Sequence, residues 1–273
     1  MLTAMKFLRS ILDFYIQSSI HVGLAVMSIA VLSVMQLGFV PEPTLLLFIW
    51  LGTICGYNFV KYAGISNRHH LQKTNNILLI RLFSVCCFAG FLYFGQFLPS
   101  EVWYTSGFFG ALTGLYAIPF LWKRNLRSIK GLKIFIIATV WVGMAVVVPL
   151  QYHHMGFGER TLYQMAEIFL FVVMLMLPFE IRDLKYDEPE LATIPQVLGV
   201  KKTKWLGTFL AVVLAVIILS QQYVYENYLP VNLTVVAVAL LFVWLSSKNQ
   251  GNYYASFWVE GIPIAWLIAY LYT

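Results

Sequence analysis

Residues 162–199 read LYQMAEIFLFVVMLMLPFEIRDLKYDEPELATIPQVLG, a long apolar run that ends abruptly in acid. Its last part, Glu180 to Gly199, opens by packing five of the chain's twelve carboxylates into eleven residues. A helix needs about 20 mostly apolar residues to cross the hydrocarbon of a bilayer, so the stretch reads as a span that delivers its acids to one interface. Charge of one sign gathered at such a place usually marks where something ionic is handled. Glu180, Asp183 and Asp187 stand at i, i+3 and i+7, so a helix continued to Asp187 puts them on one face. Pro189 sets a helix stop shortly before itself.

The chain on either side has the same greasy character. Of 273 residues 60% are hydrophobic, 16% aromatic and 11% charged, which excludes a soluble globular domain and a disordered chain alike. Nine apolar runs of about span length cover 14–40, 43–62, 76–96, 102–122, 132–150, 162–181, 205–224, 231–247 and 255–272. Strict alternation of polar and apolar residues is absent, which argues against a barrel. The expectation is an all-α polytopic membrane bundle of about nine transmembrane helices, forming a single integral domain over residues 1–273. No internal repeat or linker divides it.

Charge orients the bundle, because cytoplasmic connections are enriched in Lys and Arg. With nine spans, seventeen of the eighteen basic residues fall on the side of the N-terminus and only Arg160 lies opposite. This predicts an integral protein of the cell's inner (plasma) membrane with its N-terminus in the cytoplasm and its C-terminus outside. The net charge of +6 then needs no nucleic acid to explain it. The first apolar run is too long for the core of a secretion signal, so no cleavable leader is expected.

Several polar residues have ordinary readings. Residues 1–13 form an amphipathic lead-in at the interface. His21 reads as a hydrogen-bonding residue between helices. Cys55, Cys86 and Cys87 lack metal-ligand spacing and read as small packing residues. His153 and His154 are adjacent, point different ways and have no evident metal partners. Glu167 and Glu260 lie within spans, where an acid is either functional or a satisfied structural group. At the end of the second span Asn58, Lys61 and Tyr62 stand at i, i+3 and i+4 and present one polar face. Taken alone, Lys61 would simply snorkel to the headgroups and Tyr62 would join the interfacial aromatic belt. The fourth span closes with YAIPFLWKRNLRSIKGLK at 116–133, which sets five cations between Lys123 and Lys133, as a cytoplasmic loop would.

The two polar helix ends lie four spans apart on one membrane face, and the arrangement resembles the UbiA-type intramembrane prenyltransferases over the whole chain. That family moves a polyprenyl group from its diphosphate to an aromatic or lipid acceptor. The family's sixth-span motif is matched by Arg182, Asp183 and Asp187, with its tail in Thr193, Pro195 and Gly199. Its fourth-span pattern is matched by Tyr116, Pro119, Lys123 and Arg124. The second-span motif is matched only at Asn58; the positions where the family places aspartates hold Phe59, Tyr62 and Ser66. The resemblance implies Mg²⁺ on Asp183 and Asp187, which are also the expected catalytic residues. It implies a prenyl diphosphate and a hydrophobic acceptor contacting Asn58, Lys61, Tyr62, Tyr116, Lys123, Arg124 and Arg182, with the tail in a cavity open to membrane lipid.

Losing up to three carboxylates from the second-span side leaves three readings open. In the first, a prenyltransferase survives, with Mg²⁺ on the sixth-span acids and Lys61, Lys123 and Arg124 supplying the charge of a second metal. In the second, the cavity persists without chemistry and binds a prenyl lipid or a partner. In the third, the chain is a transporter that uses Glu167 and Glu260 as coupling groups.

Overall fold

The protein is described here by a computed structural model covering residues 2–62, 76–118, 126, 129, 131–221 and 228–273. Every regular element among these residues is helical. In chain order they are α1 (Leu2–Gln17), α2 (Ile20–Gln36), α3 (Pro43–Tyr62), α4 (Ile77–Gly95) and α5 (Ser100–Ala117). They continue as α6 (Lys133–Tyr152), α7 (Glu159–Asp183), α8 (Ile194–Ser220), α9 (Leu229–Leu245) and α10 (Tyr254–Leu271). A hydrocarbon solvent offers backbone N–H and C=O groups no partner, and a helix satisfies them within its own segment.

Six helices, α3, α4, α6, α7, α8 and α10, are long and apolar enough to cross a membrane, and α1 with α2 makes a seventh if that bent pair counts as one span. Each of the nine apolar runs overlaps a helix among the described residues, but α9 has only 17 residues and α5 is less apolar than the six. The first run is not one straight span. The chain turns by 54° between α1 and α2, at Ser18 and Ser19, four residues into the run. Ser19 sits at φ 64, in the left-handed region, and its hydroxyl is held by the end of α3.

Hydropathy alone does not say where a helix sits, because lipid tails are as apolar as a protein core. Helices α4 and α6 share a mean hydropathy of 2.2, yet 11% of the first is buried against 67% of the second. Buried α6 and α7 form the centre, joined by Ile134, Ala138, Trp141, Phe171 and Leu175 within one apolar core. Helix α6 contains a π turn at Gly143–Val147, and α10 begins with one at Tyr254–Val259. Such turns recur at functional sites because they re-aim the side chains around them.

The motif tail after α7 organises the entry to α8. Thr193 precedes the helix, and its backbone N–H donates to Gln196 Oε1 at 2.8 Å. The same Gln196 donates Nε2 to the Glu188 carbonyl at 3.0 Å and stitches the acidic loop to the helix start. Pro195 occupies the first turn, where a missing N–H costs nothing. Gly199 has φ 77, which breaks α8 after a short first piece and is a conformation that only glycine adopts freely.

Candidate functional site

The ends of α3, α5 and α7 and the start of α6 enclose a cavity of about 1260 Å³. Its polar wall carries Asn58, Lys61, Tyr62, Tyr116, Arg182 and Asp183, six of the nine residues that the sequence singled out. Lys123 and Arg124, like Pro119 and Ser66, lie outside the described residues. The remaining candidate, Asp187, stands just behind this wall. The apolar wall is built from Phe88, Phe91, Phe109, Trp141, Met144 and Met176. A cavity of this size with a charged end and an aromatic interior suits an amphiphile.

The acids of α7 converge, though not by the expected route. Helix α7 ends at Asp183 rather than running to Asp187, and the Asp183 carbonyl accepts from both Tyr186 N and Asp187 N at 2.8 Å. That turn brings the Asp187 carboxylate round to the same point as Glu180 and Asp183. At the point stands the ammonium of Lys133, from the first residue of α6. Its Nζ lies 2.8 Å from Glu180 Oε1, 2.9 Å from Asp187 Oδ2 and 3.9 Å from Asp183 Oδ2. Burial is nearly complete, with side-chain exposure of 8% for Lys133 and 2% for Glu180. Asp183 is further paired with the Arg182 guanidinium at 2.8 Å, and Arg182 lies 5.1 Å from the centre of the Phe179 ring.

Lys133 was counted in the sequence only as one more loop cation. Nothing in the spacing links it to acids some fifty residues on; only its position opening an apolar run marks it as a charge drawn into the bundle.

The second-span end is built differently. Asn58 donates Nδ2 to the Ser18 carbonyl at 2.9 Å and to Ser84 Oγ at 2.8 Å, and accepts from Ser19 Oγ at 2.7 Å. Lys61 donates to Ser19 Oγ at 2.9 Å. Tyr62 donates its hydroxyl to the Gln17 carbonyl at 2.9 Å, so it ties α3 to the end of α1. Phe59, at a position where the resembled family has an aspartate, opens onto the cavity beside them. Where the resembled family places carboxylates, hydrogen bonds of Asn58, Lys61 and Tyr62 hold the turn between α1 and α2.

Tyr116 and Glu260 complete the polar lining. Tyr116 is 4% exposed, and among the described residues its hydroxyl meets no hydrogen-bond partner. Glu260, directly after the π turn of α10, lines the wall with Lys61 and Arg182. Of the other polar residues, His21 accepts from or donates to Tyr15 Oη at 2.8 Å and contacts the Phe257 carbonyl at 2.9 Å, as a structural link should. Glu167 is sealed in the core at 2% exposure, away from the cavity.

The fit of Mg²⁺ to Asp183 and Asp187 can be tested on this geometry. Magnesium wants hard oxygen ligands in a near-octahedral shell. Here the oxygens that would supply them are already turned onto an ammonium, and the described residues hold no group of three or more His, Cys, Asp or Glu side chains arranged to take a metal ion. The residues as placed do not fit the metal. No protein-family model, curated protein or solved structure matches the chain.

Proposed function

We propose that this is a UbiA-type intramembrane prenyltransferase, with nine spans, an inward-facing N-terminus and its cavity mouth on the cytoplasmic side of the inner membrane. One observation carries the reading: a single cavity joins Asn58, Lys61, Tyr116, Arg182 and Asp183 to an interior of Phe, Trp and Met side chains. The polyprenyl tail of a prenyl diphosphate would lie along the aromatic wall, and the acceptor, an aromatic or lipid molecule, would enter from the membrane. In the reaction the allylic C–O bond breaks, the electron pair leaves with the diphosphate, and a new bond forms from the allylic carbon to the acceptor, which loses a proton. Lys61 and Arg182 offset the charge that grows on the departing diphosphate. The faces of Phe88, Phe91 and Trp141 stabilise the allylic cation.

The test is release of diphosphate from a labelled prenyl diphosphate by protein purified in detergent. Release is expected, with a steep fall in Asp183→Asn, because Asp183 orients Arg182. A protein that binds the prenyl compound and never releases diphosphate would fit the second reading, a prenyl-lipid-binding protein without chemistry. The buried ion pairs of Lys133 favour that second reading, since they hold the α7 acids away from a metal. The transporter reading has less support: Glu260 faces the cavity, but Glu167 does not.

A further inference from the structure

A buried ammonium among three carboxylates raises the question of what it replaces. Four facts bear on it. Lys133 Nζ is within 2.9 Å of oxygens from both Glu180 and Asp187 and 3.9 Å from Asp183, the position a shared cation would take. The lysine has little freedom to leave, because withdrawing it would strand the Glu180 carboxylate at 2% exposure with no compensating charge. The second-span end offers no carboxylate in its place, since Phe59 and Tyr62 stand at two of the expected positions and Asn58 is spent on Ser18, Ser19 and Ser84. Independently of the acids, the Tyr116 hydroxyl is buried on the cavity wall and has no hydrogen-bond partner among the described residues, so it can donate to an acceptor oxygen there.

We infer that the Lys133 ammonium takes the place of a divalent cation at the α7 acids, so that the cavity seats the head of a prenyl diphosphate on fixed side-chain cations and the Tyr116 hydroxyl without a metal ion. A dication brought to Asp183 and Asp187 would have to share their oxygens with Lys133, at a repulsion that the low-dielectric surroundings strengthen. Arg182 and Lys61 flank the same cavity and offer donors to phosphate oxygens. The inference rests on the proposed function for its ligand, and not for its statement about the metal.

The experiment has two arms on the full-length protein in detergent. In the first, Mn²⁺ is titrated and followed by its electron paramagnetic resonance signal. The wild type is expected to show no tight site, and Lys133→Met, which frees the carboxylates, to bind Mn²⁺ at least about tenfold more tightly. If Lys133→Met does not fold, Lys133→Met combined with Glu180→Gln lowers the buried charge and serves instead. A tight Mn²⁺ site in the wild type overturns the inference whatever the variants do. In the second arm, binding of a labelled prenyl diphosphate is compared with EDTA and with Mg²⁺. Equal binding supports the inference; binding with Mg²⁺ alone overturns it and leaves the proposed function standing. No binding under either condition overturns the proposed function and the ligand half of the inference, and the Mn²⁺ arm still decides the rest.

Discussion

The two helix ends that form the cavity's polar wall solve the same problem by opposite means. At the end of α7, three carboxylates and two cations are drawn together with little water, and every charge depends on its neighbour. At the end of α3, an amide, three serines and a phenol close a network of mostly neutral hydrogen bonds that Lys61 joins through Ser19. Ionic clusters are expensive to break because a stranded buried charge has no solvent to return to. Neutral networks lose about a hydrogen bond's worth of stability at a time. The α7 end is therefore expected to be brittle and the α3 end tolerant.

Substitutions can break or sharpen that contrast. Lys133→Met should destabilise the protein most, by about 3–5 kcal/mol, measured by denaturant unfolding in detergent followed by circular dichroism. Asn58→Leu strands the hydroxyls and carbonyl it now bridges, at an expected cost of about 1–3 kcal/mol in the same measurement. A loss in Asn58→Leu equal to that of Lys133→Met would erase the distinction between the two ends. Trp141→Phe removes the indole donor that meets Tyr57 Oη at 2.6 Å and links α6 to α3, and should cost about 1 kcal/mol. Smallest is Arg9→Ala: its pair with Asp13 is 4.0 Å long, with side-chain exposure of 69% and 37%, so the change should stay within about 0.5 kcal/mol.

How far the sequence reached differs between the same two regions. The all-helical membrane character followed from composition; placing polar helix ends on one membrane face set Asn58, Lys61 and Asp183 on the same side, and a cavity shared by them was expected only from the family resemblance. The neutral hydrogen bonds of Asn58 were not legible, since Ser18 and Ser19 in the α1–α2 turn and Ser84 in α4 lie far away in sequence and unmarked in apolar runs. The bend at Ser18 and Ser19 was hidden for a related reason: an apolar run keeps its composition through a turn, and only the left-handed φ of Ser19 reveals the break. At the α7 end the three acids were read as one helical face, yet Asp187 reaches its place through a turn after the helix stops. Their shared partner escaped notice because Lys133 sits beyond any helical repeat, and a lysine opening a span carries the same letter whether it snorkels outward or is drawn in.

The π turn in α6 has a bearing on how the cavity came to have its shape. A π turn holds one residue more than the α-helical register, so the helix beyond it is rotated by about 100° relative to an uninterrupted one. Trp141 before the turn and Met144 within it line the cavity; beyond it Val148 and Leu150 are wholly committed to the core. Deleting a single residue within Gly143–Val147 would straighten the register and swing one of these groups out of phase. The chamber's bore is thus set by one surplus amino acid, and a change in chain length there would retune which molecules it admits without touching any charged group.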